Sequence, residues 1–217
     1  MRPKYDHVVT AAMAFIRAGN RADEVFVVNF GDRVTRGLPP NIPFSSDLNQ
    51  LRAALTLATP AGRTALYDAL LDSLLHLEKG KSQRKALMLI SDGGDNNSTH
   101  LAEEVMSKVR ESRATIYPIG IFDADDHDRN PGLLRRLATV SGGEPFFPTE
   151  LTEVDGICQR IAADIRTRYT IGYVPVRAGE AGSLRHIRVT VATPAGRKLI
   201  VHTRTAYELP PSGKAGG

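Results

Sequence analysis

The chain lacks most of what would tie it to a covalently stapled or membrane-spanning architecture. Cys158 is the single cysteine in 217 residues, so no disulfide can form within the chain. No uninterrupted run of about 18 apolar residues occurs, the length a membrane-spanning helix needs. Asp6 and His7 sit where the apolar stretch of a leader peptide would lie. Tryptophan is absent and aromatics make up only 6% of the chain, which argues against a base-stacking surface. The catalytic words G-x-x-x-x-G-K-[ST], H-E-x-x-H and G-x-S-x-G are also missing, removing the usual phosphate-loop, zinc-protease and serine-hydrolase readings.

What is present suits a buried core with a smaller appendage: 41% hydrophobic and 24% charged residues over a domain-sized length. The net charge of +4 is uneven. Residues 1–150 hold 18 basic against 19 acidic side chains, giving −1, and residues 151–217 hold 10 against 5, giving +5. The basic surplus is spread out, so it reads as a solvated surface, and no nucleic-acid partner is expected.

Hydrophobic spacing predicts a helix over residues 3–18, with Val8, Ala12, Phe15 and Ile16 on one face. A β-branched and aromatic run predicts a strand over 24–30, followed by a short edge strand over 33–36. Ser46 or Asp47 opens a helix to about residue 57, and Thr64 precedes another that Gly80 ends. Residues 86–90 and 115–121 read as strands, with helices over 98–112 and from Asn130-Pro131 to Gly142. Phe146 and Phe147 suggest a short last strand. The alternation predicts an α/β fold, a Rossmann-like, mostly parallel sheet flanked by helices. After a helix over 153–167 the pattern changes. Residues 169–174, 187–192 and 199–206 are β-type runs, broken at 179–183 and 194–196, which predicts an antiparallel extension. The expected organisation is an α/β domain over 1–150, a helix plus β-rich extension over 151–208, and a disordered tail over 209–217.

Residues 86–98 read ALMLISDGGDNNS. A short apolar run ending in Asp and Gly is a buried parallel strand whose tip carries a carboxylate, and ligands bind beyond such tips in open α/β sheets. Asp92 at that tip and Thr64 at a loop-to-helix junction supply oxygens suited to a hard divalent cation. Each also has a plainer reading, Thr64 as a helix N-cap and Asp92 as a turn residue bonded to its own backbone. Asp95, Asn96 and Asn97 read as loop and capping residues. The acidic stretch over 123–128 lacks the glycine of a calcium loop and reads as solvated. His76, His100 and His127 show no ligand spacing.

The words DEVFVVNFGD (23–32), GRTALYDAL (62–70), LMLISDGGDNNS (87–98), IYPIGI (116–121) and LATVSGGEPFF (137–147) together resemble a von Willebrand factor type A domain of the bacterial kind common in Acidobacteria. RIAADIRTRYTIGYVP (160–175) and SLRHIRVTV (183–191) resemble the β-rich extension of that subgroup. The resemblance implies a metal-ion-dependent adhesion site, which binds Mg²⁺, or Mn²⁺ or Ca²⁺, through three segments. They are a D-x-S-x-S stretch after strand one, a loop threonine matching Thr64, and a strand-end aspartate matching Asp92. A carboxylate from a protein partner completes the shell. The parent is expected to be extracytoplasmic.

One segment of that pattern is missing. Residues 1–20 contain no D-x-S-x-S, and the chain opens directly on the first helix. The resemblance therefore implies an N-terminally truncated domain without strand one. That strand would lie between those at 24–30 and 86–90, leaving a slot about 9–10 Å wide or a closed-up sheet. With only Thr64 and Asp92 left, metal binding by this chain is expected to be weak or absent. The leading expectation is a non-enzymatic protein-binding module. The alternatives are a metal-dependent phosphoester enzyme using Asp92 and Asp95, and a structural protein that pairs strands through its tail.

Overall fold

The computed structural model describes residues 2–57, 62–122, 127–175, 180, 182–192 and 199–209. The acidic residues 123–126, the expected breaks at 179 and 194–196, and the tail beyond 209 lie outside the described residues.

The chain opens on α1 (Arg2–Ala18), followed by a hairpin of β1 (Val28–Phe30) and β2 (Val34–Arg36). Helix α2 (Leu48–Thr56) starts at Asp47, whose carboxylate accepts the Asn49 and Gln50 N–H groups at 2.7 and 3.2 Å, a side-chain N-cap. Helix α3 (Leu66–Leu77) leads into β3 (Ala86–Ser91), α4 (Ala102–Glu111) and β4 (Thr115–Gly120). Helix α5 (Pro131–Ser141) carries its signals in sequence. Asn130 caps the Leu133 N–H at 2.9 Å, Pro131 occupies the first turn, and Gly142 closes the helix at φ 82°. A 3-10 turn (Leu151–Glu153) runs into α6 (Val154–Thr167).

Strands β3 and β4 pair in parallel, Ala86 opposite Thr115 through Ser91 opposite Gly120. Lys85 and Ser91 carbonyls accept from Thr115 and Ile121, so the odd-numbered backbone groups of both strands face each other. Pro118 is tolerated because it faces the other edge of β4, where no N–H is needed. There its carbonyl accepts the Phe146 N–H, and Gly120 donates to the Phe146 carbonyl, both at 2.8 Å. Phe146 thus joins the sheet by a parallel bridge to Ile119.

Side chains alternate between two faces, as the strand period of two requires. On one face Leu87, Leu89 and Ile116 pack with Leu66, Leu70 and Leu74 of α3, Val105 and Met106 of α4, and Leu134 and Leu137 of α5. On the other, Met88, Ile90, Tyr117 and Ile119 meet Ala11 and Phe15 of α1 and Cys158 and Ile161 of α6. Val27 packs with Ile16 of α1 and Leu51 and Ala54 of α2. The result is a helix–sheet–helix sandwich, the α/β architecture expected. The sheet is nevertheless interrupted: β1–β2 and β3–β4 are separate two-stranded ladders, and β1 shares no ladder with β3.

The C-terminal region departs from expectation. Of the runs 169–174, 187–192 and 199–206, only Ala206 falls in a strand, at the start of β6 (Ala206–Glu208). Its antiparallel partner β5 (Leu184–His186) lies just before the second run. Alternating β-branched residues make a strand only where a face is covered, and here Ile171 and Ile200 remain 76% and 83% exposed. The short ladder is anchored instead by Arg204 donating to the Ser112 carbonyl at 2.5 Å and by an edge-on contact of Tyr173 with Tyr207.

Candidate metal and docking site at the sheet edge

The C-terminal ends of β1 and β3 point to the same edge, and four loops are stitched together there. After β1, the Asp32 carboxylate accepts the Arg63 N–H at 2.5 Å, and its carbonyl accepts Asn97 Nδ2 at 2.7 Å. Gly62 makes this approach possible. It holds φ at 87°, and a Cβ there would lie 2.2 Å from Asp32 Oδ2.

Thr64 is bound to the loop that follows β3. Its N–H donates to Asn96 Oδ1 at 2.8 Å, and its carbonyl accepts the Asn96 and Asn97 N–H groups at 3.0 and 3.1 Å. Asn96 Nδ2 reaches Asp128 at 3.1 Å, which ties in the loop before α5. The Thr64 hydroxyl makes no hydrogen bond with the described residues. Thr64 is not the N-cap of α3, as its plainer reading had it: Ala65 holds that position without a side-chain cap.

The start of α3 is capped from a distance. Asp95 accepts the Tyr67 N–H at 3.2 Å, and Ser98 Oγ accepts the Asp68 N–H at 3.1 Å while donating to Asp95 at 2.5 Å. Asp95 thus serves the helix terminus, which explains its place in the loop without chemistry. Asp68, on the first turn of α3, accepts the Thr99 and His100 N–H groups and His100 Nδ1 at 2.7 Å. Burial pushes its carboxyl up, but these donors outweigh burial and hold it at about 2.

Asp92 sits where the sequence placed it, one residue past β3. Its Oδ1 accepts the Gly94 N–H at 2.8 Å and its carbonyl accepts the Asn130 N–H at 3.0 Å. Gly93 adopts φ 83°, and a Cβ there would meet the Asn130 carbonyl at 2.4 Å. The two predicted ligands therefore lie on loops bonded to one another. Both offer hard oxygens, the right kind for Mg²⁺, but they are few. Among the described residues no three His, Cys, Asp or Glu side chains converge as a metal-holding group.

Sequence reasoning gave Asp32 no role at the site, and it read Asn96 and Asn97 as loop and capping residues without the bonds by which they hold the Thr64 and Asp32 loops. The signal was present in the double Asn behind the Gly pair, residues whose side chains bond neighbouring backbone. Of the histidines, His100 pairs with Asp68, and His76 is buried with Nε2 2.6 Å from the Pro43 carbonyl and its ring against Phe26 and Phe44.

A family model for the von Willebrand factor type A domain matches residues 2–160. Among solved structures, a von Willebrand factor type A protein from Catenulispora acidiphila is similar at TM-score 0.63 and 18% identity, covering 74% of this chain and 38% of its own. The vWF domain of the type V pili tip protein Mfa5 from Porphyromonas gingivalis gives 0.58 and 13%, covering 77% of this chain and 91% of that domain. Proximal thread matrix protein 1 from the mussel byssus, with a zinc-occupied MIDAS motif, gives 0.58 and 18%, covering 73% and 40%. The chain thus spans 38% of the length of the Catenulispora protein, and identities this low speak for the fold alone. No curated protein matches.

Proposed function

Because the chain belongs to the von Willebrand factor type A domain family, we propose that it is a non-enzymatic protein-interaction module whose docking face is the loop cluster holding Thr64 and Asp92. The observation that carries this reading is the Thr64 loop. It is fixed by three backbone hydrogen bonds to Asn96 and Asn97, while its hydroxyl is left without a hydrogen bond to the described residues. A threonine that neither caps its helix nor packs in the core has its oxygen available for something else. With Asp92 it offers two oxygens that Mg²⁺ would accept, and a partner's carboxylate supplies another. Opposite charges in a partly dry site make such a contact strong for its area.

Two protein oxygens leave most of a six-membered shell to water, so affinity for Mg²⁺ alone is weak. Calorimetry is expected to show no binding tighter than about 1 mM, the weak end of specific affinities. Micromolar binding that disappears in Asp92→Ala would overturn the weak-site reading.

The docking reading is tested with an immobilised chain and a soluble glutamate-containing peptide. Peptide binding should rise with Mg²⁺ and fall at least fivefold in Thr64→Val, which keeps the side-chain shape and exchanges the hydroxyl for a methyl group. Binding that is indifferent to chelator and to Thr64→Val would discard this face. Turnover of phosphoester substrates that depends on Asp92 would replace the module with an enzyme.

A further inference from the structure

The pole opposite the Thr64 and Asp92 loops is built from helix ends and basic side chains. Five helices end there, near the starts of β3 and β4, and each end is covered by a base from elsewhere in the chain. Lys85 Nζ donates to the Leu77 and Gly80 carbonyls at the end of α3, at 2.5 and 3.0 Å. Arg204 donates to the Ser112 carbonyl at the end of α4 at 2.5 Å, and Arg168 to the Gly142 carbonyl at the end of α5 at 2.8 Å. Arg84 donates to the Arg166 carbonyl in the last turn of α6 at 3.2 Å, and Arg166 itself donates to the Ala18 carbonyl that ends α1. Arg113, between α4 and β4, is exposed and close enough to Arg204 for their charges to interact.

These bases exceed the charge they cover. A helix C-terminus carries about half a negative charge, so a full positive charge on each leaves a surplus. Carboxylates do not remove it. Asp164 pairs with Arg168, Glu78 and Glu111 are both held by Lys108, and Glu24 accepts the Lys81 and Ser82 N–H groups. Among the described residues Arg84, Lys85, Arg113, Arg166 and Arg204 have no ion-pair partner. Burial first, and then the nearby charge of Arg113, push the Arg204 guanidinium below its ordinary value. Apolar side chains left in water adjoin this charge. Tyr169 follows Arg168 directly, and Tyr169 and Val174 are each 90% exposed. Ile171 lies three residues past Arg168 and Ile200 four before Arg204, so neither is more than about 15 Å of chain from the pole. Gly142 fixes the returning segment there, since a Cβ on it would lie 2.4 Å from the Arg204 backbone nitrogen.

We propose that this pole is a peripheral docking face for an anionic phospholipid bilayer, which takes the unpaired bases at its headgroups and the exposed Tyr169, Ile171, Val174 and Ile200 at its interface. Charge alone would suit any polyanion. The apolar side chains select among them, because a headgroup layer has hydrocarbon immediately beneath its charge and an acidic polypeptide in solution does not. Tyrosine suits that boundary, having an apolar ring and a polar tip. The attraction falls off within a Debye length, about 8 Å at physiological salt, so it weakens as salt is added. Docking of this kind needs no span, and no described helix is long and apolar enough to cross a bilayer. The inference does not rest on Thr64, Asp92 or a metal, which belong to the other end of β3, so either reading can fail alone.

The test uses the whole chain with vesicles of equal parts phosphatidylglycerol and phosphatidylcholine, and with vesicles of phosphatidylcholine alone. Cosedimentation should show saturable binding to the mixed vesicles, about tenfold or more tighter than to the neutral ones, and weaker as salt is raised. Arg84→Gln combined with Arg113→Gln should weaken it about tenfold, and Ile171→Ser combined with Ile200→Ser about fivefold. All four side chains are exposed, so circular dichroism should show both variants folded. A third variant reports contact directly. The chain has no tryptophan, so Tyr169→Trp supplies a single indole, whose emission should move to shorter wavelength on the mixed vesicles and stay in place with soluble polyglutamate. The proposal is overturned by absent binding, by equal binding to the neutral vesicles, or by full binding in either double variant. It is also overturned by an unmoved indole emission on the mixed vesicles, or by the same shift with polyglutamate, which would make the occupant an acidic polypeptide.

Discussion

Asp68 and Cys158 are buried to different degrees and titrate in opposite senses. Asp68 gathers N–H donors from Thr99 and His100, and these hold its carboxyl at about 2, below the ordinary 3.8. A depressed carboxyl stabilises the fold above its unfolded value and loses that contribution as pH falls through the folded one. Asp68→Asn is therefore expected to cost about 0.5–1 kcal/mol near neutrality, the figure for a solvent-screened charged group. The difference from the parent should shrink between pH 4 and pH 2, as measured by urea unfolding. A cost that is flat with pH would show that the carboxylate's charge is not what matters. Cys158 is fully buried against Met88, and burial pushes its thiol up to about 12. The nucleophile is the thiolate, so the native chain should resist a thiol reagent at pH 8 and react once unfolded. Labelling of the native chain within minutes would mean that the α1–α6 face opens readily.

Helix α3 shows how an element can depend on a loop some 30 residues away. Its first turn is satisfied by Asp95 and Ser98 rather than by any residue preceding it. Asp95→Ala should destabilise by about 1 kcal/mol, the usual value of an N-cap. Gly93→Ala should cost more, roughly 2 kcal/mol or above, because it combines a strained φ of 83° with a Cβ 2.4 Å from the Asn130 carbonyl. Equilibrium denaturation ranks the two, and an alanine at 93 milder than one at 95 would contradict the tight turn behind Asp92. The same contrast explains what the sequence made legible. Helices α2 and α5 were readable because Asp47, Asn130, Pro131 and Gly142 carry their capping signals next to the helices they serve. Strands β3 and β4 were readable as buried apolar runs, and Asp92 at the tip followed from them. The true start of α3 was not readable, since its caps come from Asp95 and Ser98, and neither was the stitching of Thr64 by Asn96. Residues 169–174 and 187–192 carry strand propensity, but propensity does not say whether a covering face exists, and here none does.

The molecule as a whole is a sandwich whose middle layer is in two pieces. Helices α1 and α3 hold those pieces together by packing across the break, without a backbone ladder between β1 and β3. Apolar packing is non-directional and tolerates sliding, whereas a ladder fixes register, so the break removes both cooperativity and a share of buried area. Open edges with apolar flanks also invite association of the partly unfolded chain. The free chain is expected to melt below about 50 °C, toward the low side of the range for mesophilic domains. Scanning calorimetry of the chain decides the point: a single cooperative transition well above 50 °C would mean that packing through α1 and α3 alone makes the two half-sheets behave as one.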